Sequence, residues 1–492
     1  MNRKLPFGSA LIAFLAVSMS VWAQGDVLWK KNFGGLGKDE YESVTAVSDG
    51  VIAVGCSRDW SFGNGDWEGV EGNGNYDAII VKYDNAGNVV WKKNFGGSSF
   101  DYFYAVATMS DGVIAVGDSH RFGDGDWEGV TGKGNGDAII VKYDNAGNVV
   151  WKKNFGGSDV DEYSSVTAVA DGIVAIGYSW STSFGNGDWA GVTGKGGDDA
   201  IIVKYDNTGD VVWKKNFGGS GRDEYRSVRT VADGIVAVGY SGSTSFGNGD
   251  WTGVVGKGDS DAIIVKYDNA GNIVWKKNFG GNDGDGFYEV MAISDGVIAV
   301  GYSIDFGAGD WNGTIGKGSN DAIIVKYDND GNVIWKKNFG GSGADYYNSV
   351  TAVSDGIVAA GYSGSDSFGN GDWAGITGKG ADDAIIVKYS TNPTSIADNS
   401  QDATLRIYPN PTNGQIHITG FDGRDAMNGV CTDVQIFDMY GRNVLVAAVE
   451  TGRAPSLQQQ PTTTLDISHL PDGVYFLRIG GKTMKIVKIN NN

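Results

Sequence analysis

The chain has 492 residues, of which 39 are Lys or Arg and 59 are Asp or Glu, giving a formal net charge of −20. So acidic a chain repels phosphate backbones and anionic lipid, which makes nucleic acid and acidic membranes poor partners. It has only three histidines and two cysteines, Cys56 and Cys431. A disulfide framework, a histidine-based metal site and a Ser-His-Asp triad are therefore not expected.

Residues 1–23 have the pattern of a secretory signal peptide. Arg3 and Lys4 precede an apolar run over residues 11–21, and Ala23 offers a small residue for cleavage before Gln24. No cysteine follows that cleavage site, so a lipoprotein anchor is not expected. The apolar run is too short to span a membrane comfortably. We expect an exported protein with no membrane span in its mature form.

Six near-identical copies of about sixty residues follow, ending at Tyr389. A fixed period of this length indicates one supersecondary unit that buries its apolar face only against its neighbours. Six nearly equal surfaces favour repeated binding over a single asymmetric active site. The motif Trp-Lys-Lys-Asn-Phe-Gly-Gly begins at Trp29, Trp91, Trp151, Trp213, Trp275 and Trp335.

Each copy contains four strand-like pieces. In the second copy these are residues 101–110, 113–117, 137–143 and 149–153. Ser-Asp-Gly joins the first two pieces and Asp-Asn-Ala-Gly-Asn joins the last two, and glycine in such short loops supplies the positive φ that hairpins need. A long Gly- and Asp-rich loop separates the middle two. The pattern predicts an all-β chain with antiparallel sheets.

Four antiparallel strands in each of six copies predict a six-bladed β-propeller over residues 24–389. A lone strand at residues 27–33 and the last strand at residues 383–389 are expected to pair, completing the sixth blade and removing an exposed edge. Strand alternation puts the long loops and the blade-to-blade loops on one rim. The copies differ in length there, at residues 120–121 and 304–305, and loops of this kind often carry function.

The hairpin at residues 137–157 resembles the repeat of bacterial β-propeller proteins with the pattern D-x-x-x-x-K-Y-D-x-x-G-N-x-x-W-x-K-x-F-G-G. The resemblance covers roughly residues 27–389. It implies the propeller fold and says little about activity, because that family consists mostly of uncharacterised surface or secreted proteins.

The C-terminal region has a different pattern. A Ser-, Thr- and Asn-rich linker at residues 390–402 leads to a segment at 403–492 with Tyr-Pro-Asn-Pro at 408–411, Tyr-Gly-Arg at 440–442 and Pro-Asp-Gly at 471–473. These motifs resemble the type A C-terminal sorting domain of the Bacteroidetes type IX secretion system. The resemblance implies a small immunoglobulin-like β-sandwich that the secretion machinery recognises at the outer membrane. Short alternating strands between these turns predict a sandwich independently.

The repeated Gly-Asp-Trp of the long loop supplies candidate ligand contacts. Indole faces on one rim could stack on sugar rings, whereas the structural alternative is that each Trp packs under its own loop. Two further Trp residues occur once each in this loop and are candidates for copy-specific contacts. The candidate ligand-binding residues are Trp67, Trp127, Trp189, Trp251, Trp311, Trp373, Trp60 and Trp180.

Two of these loops also place oxygen ligands at positions one, three and five before a glycine, as a calcium loop of the EF-hand type begins. The twelfth position carries Asn75 or Asn135 instead of the closing glutamate. Turn chemistry of Asp and Gly is the stronger interpretation, and calcium is kept as an alternative. The residues concerned are Asn64, Asp66, Glu68, Asp124, Asp126 and Glu128.

Acidic pairs in the blade-to-blade loops, such as Asp39-Glu40 and Asp161-Glu162, offer carboxylates for glycoside hydrolysis. They are copied and adjacent in sequence, and the differences between copies look scattered along the chain. The sequence therefore predicts a secreted or surface-displayed, non-catalytic binding protein with no required cofactor, which holds a glycan or a surface partner on the Gly-Asp-Trp rim. A polysaccharide-degrading enzyme using rim carboxylates and a purely structural surface protein are the alternatives.

Overall fold

The computed structural model describes residues 29–353, 356–389, 406–408, 415–419, 432–438, 443–449, 462–479 and 482–488. The chain divides into two compact units, residues 1–392 and 393–492. The expected signal peptide at 1–23 and linker at 390–402 lie outside the described residues. Among those that are described, no helix has the length and apolarity needed to cross a membrane.

The first unit is the predicted six-bladed β-propeller, with strands numbered in chain order. In the first five blades the first strand pairs with the second, the second with the third and the third with the fourth, all antiparallel, and the sixth blade has the first three of these strands. The first strands are β1 (Asp39–Val47), β5 (Asp101–Met109), β9 (Asp161–Val169), β13 (Asp223–Val231), β17 (Asp285–Ile293) and β21 (Asp345–Val353). The second strands are β2 (Gly50–Arg58), β6 (Gly112–Ser119), β10 (Gly172–Ser179), β14 (Gly234–Gly242), β18 (Gly296–Ser303) and β22 (Gly356–Gly364).

The outer half of each blade has the same regularity. The third strands are β3 (Tyr76–Asp84), β7 (Asp137–Asp144), β11 (Asp199–Tyr205), β15 (Ser260–Tyr267), β19 (Asp321–Tyr327) and β23 (Asp382–Tyr389). The fourth strands are β4 (Val89–Phe95), β8 (Val149–Phe155), β12 (Val211–Phe217), β16 (Ile273–Phe279) and β20 (Val333–Phe339). Each Gly-Asp-Trp forms one turn of 3₁₀ helix, at Gly65–Trp67, Gly125–Trp127, Gly187–Trp189, Gly249–Trp251, Gly309–Trp311 and Gly371–Trp373. The copies with two extra loop residues form a second such turn, at Asp59–Ser61, Ser181–Ser183, Ser243–Ser245 and Ser365–Ser367.

The boundary between the sixth and first blades differs from the other five. The sixth sheet has three strands, and within the described residues the N-terminal segment forms no ladder with β23. Ile386 on β23 is 73% exposed and Val44 on β1 is 65% exposed. The expected closing pair of strands is therefore not formed. Phe33 nevertheless packs edge-on against Trp67 at 4.9 Å, as the fourth-strand Phe95 packs against Trp127 of the next blade.

Neighbouring blades interlock through the Trp of the repeated motif and the glycine of the following blade's outer hairpin. Trp91 on β4 lies against Gly147, whose φ is +81°, and a Cβ on that glycine would come within 2.8 Å of the indole. The Trp91 Nε1 donates to the carbonyl of Asn145 at 3.2 Å. Glycine is thus required at position 147 for two reasons, namely the positive φ of the turn and the close contact with the indole.

Every inner strand carries a β-bulge at the same position. The register of β9 against β10 passes from Tyr163 opposite Gly177 to Ser165 opposite Ile176, so Ser164 is left out of the ladder. A bulge redirects the side chain of the extra residue and is often found next to functional sites. The six bulge residues are Glu42, Tyr104, Ser164, Arg226, Tyr288 and Asn348.

The second unit contains two antiparallel sheets, in agreement with the predicted sandwich. The three-stranded sheet has the order β24 (Arg406–Tyr408), β25 (Gln415–Thr419) and β28 (Thr462–Asp466). The four-stranded sheet has the order β27 (Asn443–Val449), β26 (Thr432–Asp438), β29 (Gly473–Ile479) and β30 (Lys482–Lys488). Apolar side chains from both sheets, among them Ile416 and Ile436, form one buried cluster.

A buried tyrosine pair provides a test of this packing, because only some blades complete it. In blade 3 the hydroxyls of Tyr163 and Tyr205 lie 2.6 Å apart. In blade 2 Phe103 replaces the first tyrosine, and the buried hydroxyl of Tyr143 has no hydrogen-bond partner. An unpaired buried hydroxyl is costly, whereas removing it with its desolvation penalty is not.

We therefore predict opposite results for two chemically identical substitutions. Tyr205→Phe leaves the buried hydroxyl of Tyr163 without this partner and should lower the free energy of unfolding by about 1–3 kcal/mol. Tyr143→Phe should be neutral or stabilising. Thermal unfolding of both variants beside the wild type measures the difference, and an equal loss in both would contradict the packing described here.

Candidate ligand-binding channel

The Gly-Asp-Trp indoles are packing residues in this structure. The five from Trp67 to Trp311 are fully buried, and the sixth, Trp373, is partly buried. In blade 3, Trp189 lies between Phe155 of the preceding blade, 4.9 Å away and edge-on, and Phe184 of its own loop at 5.0 Å. No indole face is left for a sugar at the five buried positions, which favours the structural interpretation for them.

A buried carboxylate holds each of these indoles in place. Asp161, at the start of β9, accepts from Trp189 Nε1 at 3.1 Å, from the backbone N–H of Gly157 at 2.8 Å and from Ser183 Oγ at 2.9 Å. Burial raises the pKa of Asp161 to about 6 against the opposing effect of these hydrogen bonds. Asp161 therefore ties a blade-to-blade loop to a long loop, and its copies occupy the same position in the other blades.

The aspartate of Gly-Asp-Trp also joins neighbouring blades. Asp188 Oδ2 accepts from the backbone N–H of Gly156 at 3.0 Å and pairs with Lys133 of the preceding blade at 2.6 Å. Asp66 Oδ2 accepts from Gly34 N at 3.0 Å, and Asp126 Oδ2 from Gly96 N at 3.0 Å. These carboxylates are thus occupied by backbone and lysine donors.

The remaining calcium candidates are similarly engaged in turn contacts. Asn64 donates through Nδ2 to the carbonyls of Trp60 and Phe62, both at 3.0 Å. Asp124 accepts from Ser98, and Glu68 and Glu128 follow the 3₁₀ turns with exposed side chains. Nowhere in the described residues do three Asp, Glu, His or Cys side chains gather as metal ligands would. Calcium at these loops stays a sequence-based alternative.

The two copy-specific Trp residues are the rim candidates that remain accessible. Trp60 is 66% exposed and Trp180 is 43% exposed. The guanidinium of Arg58 lies 4.7 Å from the centre of the Trp60 ring. Their exposed rings stay available as ligand contacts on the long-loop rim.

The structure brings together residues that look scattered in the sequence. All six bulge residues line one central cavity of about 880 Å³, together with other residues of the first strands and with residues of blade 1 such as Val51 and Tyr83. Their side chains are two carboxamide or hydroxyl groups, two phenols, one carboxylate and one guanidinium, so the repeat symmetry is broken at the centre. Strand register therefore gathers around one axis a set of differences that looks scattered in the sequence, while other differences between the copies, such as Glu68 and Ala190, lie in the long loops.

A second layer of unlike residues lies on the long-loop side of the bulges. Here each first strand contributes one residue and the second strand its cross-strand partner, and side chains so placed are in contact range. The six pairs are Glu40 with Cys56, Tyr102 with Asp118, Glu162 with Tyr178, Glu224 with Tyr240, Gly286 with Tyr302, and Tyr346 with Tyr362.

One side of this channel is aromatic. The rings of Tyr288 and Tyr302 are 5.4 Å apart, those of Tyr302 and Tyr346 5.2 Å, and those of Tyr346 and Tyr362 4.9 Å. Burial raises the pKa of Tyr288, so its hydroxyl stays neutral at physiological pH. Blades 5 and 6 thus present a cluster of neutral phenols towards the channel.

Charged groups lie on blades 3 to 5. Glu224 is fully buried between Arg222 and Arg226, with its Oε2 at 2.5 Å from the Arg226 guanidinium. Arg229 pairs with Glu289 at 2.6 Å. Burial, and after it the charge of Asp118, raises the pKa of Glu162 to about 7. The channel therefore combines aromatic faces, fixed ion pairs and a carboxyl group that titrates near neutrality.

Sequence reasoning missed this channel although a signal was present. Aligning the six copies shows one position occupied in turn by Glu42, Tyr104, Ser164, Arg226, Tyr288 and Asn348. The aspartate three residues earlier and the valine two residues later are the same in all six copies. The bulge that directs this position inwards depends on strand register, which the repeat pattern alone does not reveal.

Comparison with known proteins agrees with the sorting domain predicted for the C-terminal region. Residues 406–489 match the family model of the secretion system C-terminal sorting domain. The protein thus combines a β-propeller with a type IX sorting domain, and it is exported to the cell surface or beyond it.

Other similarities are distant. The regulatory protein FlaEY of Caulobacter vibrioides is 26% identical over 254 residues, which are 46% of this chain and 26% of that protein, so the chain spans about a quarter of that relative's length. BamB from Moraxella catarrhalis is 15% identical with a TM-score of 0.30, over 65% of this chain and 93% of that one. A putative 6-phosphogluconolactonase from Bacteroides uniformis is 10% identical with a TM-score of 0.31, over 84% and 99%.

We predict that Trp189→Ala acts on stability and not on a binding surface. Removing this fully buried indole leaves a cavity and should cost about 3–5 kcal/mol. Trp180→Ala, in the same loop but exposed, should change the stability by less than about 1 kcal/mol. Thermal unfolding compares the two, and an equally small effect of Trp189→Ala would restore that residue as a ligand contact.

Proposed function

We propose that this exported propeller is a non-catalytic binding protein that holds a glycan, or a glycan-bearing surface partner, in its central channel. The observation that carries the proposal is the convergence of six bulge residues, of five different types, on one cavity of about 880 Å³. A purely structural protein has no need to vary these positions while the neighbouring core is repeated. The cavity size is also in the range of ordinary ligand pockets.

The chemistry of the cavity suits a sugar. Tyr104 and Tyr288 provide ring faces, and Ser164 and Asn348 provide hydrogen-bonding groups on other blades. Aromatic faces stack on the apolar side of a pyranose while side-chain donors and acceptors bind its hydroxyls. The exposed rings of Trp60 and Trp180 are proposed as further contacts for a longer glycan where it leaves the channel.

A polysaccharide-degrading enzyme is the second candidate. It is favoured by one observation, namely that the carboxyl group of Glu162 titrates near neutrality close to a second carboxylate, that of Asp118. A pair of this kind is what general acid catalysis of glycoside cleavage uses. The binding function is preferred because Asp118 Oδ2 lies 2.9 Å from His120 Nε2, a contact that argues against a catalytic role for that carboxylate.

The test is a glycan and polysaccharide screen with residues 24–492, followed by calorimetry and by product analysis of every bound glycan. Tyr288→Ala removes one ring from the cavity and should weaken binding by about 10-fold, as expected for about 1–1.5 kcal/mol of aromatic contact. Trp60→Ala is measured beside it. A loss with Trp60→Ala alone would move the site to the rim, and released oligosaccharides would favour the enzyme.

A further inference from the structure

The negative charge of the channel is least balanced between blades 2 and 3. Asp118 on β6 is only 3% exposed, and Glu162 on β9 faces it from the next blade. Both carboxylates also act on Tyr104, whose pKa is raised by burial first and then by the charges of Asp118 and Glu162. The three side chains therefore form one group, of which Tyr104 lines the cavity.

Few positively charged groups neutralise these two carboxylates. His120 Nε2 lies 2.9 Å from Asp118 Oδ2, while the buried Oδ1 of Asp118 has no hydrogen-bond partner. Arg226 acts on Glu162 electrostatically, but its guanidinium contacts Glu224 Oε2 at 2.5 Å. A buried carboxylate oxygen without a donor is costly, so an incoming cation would gain a strong interaction here.

The equivalent positions of other blades are neutral or already paired. In blade 1, Glu40 pairs with Lys38 at 2.7 Å, and in blade 4, Glu224 lies between two arginines. Blades 5 and 6 carry Gly286 with Tyr302 and Tyr346 with Tyr362. Within this layer of described residues, the excess of acid is therefore specific to blades 2 and 3.

Aromatic rings surround the same two carboxylates. The hydroxyl of Tyr178 donates to Glu162 Oε2 at 2.9 Å. The rings of Tyr102 and Tyr104 stack with their centres 5.9 Å apart and their planes at 7°. Carboxylates combined with phenol faces attract ammonium groups, because the ring quadrupole and the full charge act together in a partly dry site.

We propose that Asp118, Glu162, Tyr104 and Tyr178 form a site for the ammonium group of an organic cation. The inference rests on the proposed function in that it uses the same channel, and it specifies an amine on the ligand. Two carboxylates with aromatic walls suit an ammonium group better than a divalent metal, which needs more oxygen ligands. The amine belongs either to an amino sugar or to a lysine side chain, and the experiment separates these two sources.

The test uses two pairs of probes that differ only in charge. Residues 24–492 are titrated by calorimetry at pH 8 with glucosamine oligomers and N-acetylglucosamine oligomers, and with a lysine peptide and its acetyl-lysine form. The charged member of one pair should bind at least 10-fold more tightly than its acetylated partner, and that pair identifies the source. Equal affinities within both pairs would overturn the inference.

A variant and a matched control locate the site. Glu162→Gln should lose at least 10-fold in affinity for the amine, whereas Glu71→Gln, which removes an exposed charge on the long-loop rim, should change nothing. Neutral glycans that bind equally to wild type and Glu162→Gln would leave the proposed function standing and remove this inference. Binding of no probe to the folded protein would reject both.

The pH profile of the wild type is an independent measurement. Amine affinity should fall as the pH is lowered from 8 to about 5.5, because Glu162 then gains a proton and loses its charge. His120, whose pKa is raised by its hydrogen bond with Asp118, is protonated at the lower pH and competes with the amine as a cation. A pH-independent affinity would contradict the site.

The groups facing this pair of carboxylates are Tyr104, Tyr178, His120, Glu224 and Arg226.

Discussion

Everything in the propeller depends on the buried aspartate that begins each inner strand. Asp161 shows how this works, since its two oxygens accept hydrogen bonds from an indole N–H and a hydroxyl of the long loop and from a backbone N–H of the blade-to-blade loop. A glycine-rich chain has little side-chain material with which to order its loops, and this carboxylate provides a charge-assisted anchor for them. The indole held there in turn packs on the preceding blade. The same contacts therefore order the loop and join neighbouring blades of the propeller.

This anchoring divides the repeat into two kinds of position. The repeated residues, such as Trp189, Asp188 and Lys133, are engaged in contacts within and between blades. The positions that differ in chemistry lie around the central axis, where a side chain meets the cavity and not the next blade. Residues that are the same in all copies therefore have structural roles in this protein. Residues that differ between the copies lie where each copy can have a role of its own.

Much of the fold could be predicted from the sequence, because hairpin turns and a sixty-residue period determine the strands, their order and the number of blades. The interpretation of the Gly-Asp-Trp rim could not be settled in the same way. A tryptophan repeated six times is compatible with a buried contact or with a multivalent surface, and only the position of Phe155 against Trp189 distinguishes them. The channel was hidden for a different reason. A one-residue bulge at Ser164 shifts the face on which a side chain lies, and alternation rules applied to sequence assume an unbroken ladder.

The bulge has a consequence for how such a protein can change. Because Ser164 and its five counterparts stand outside the hydrogen-bond ladder, a substitution at any of them removes no pairing residue from the ladder. Exchange at these positions is then limited mainly by side-chain partners, as at Arg226, which pairs with the buried Glu224. A gene built by duplication would thereby acquire new specificities through single substitutions, with no need to rebuild the scaffold that displays them.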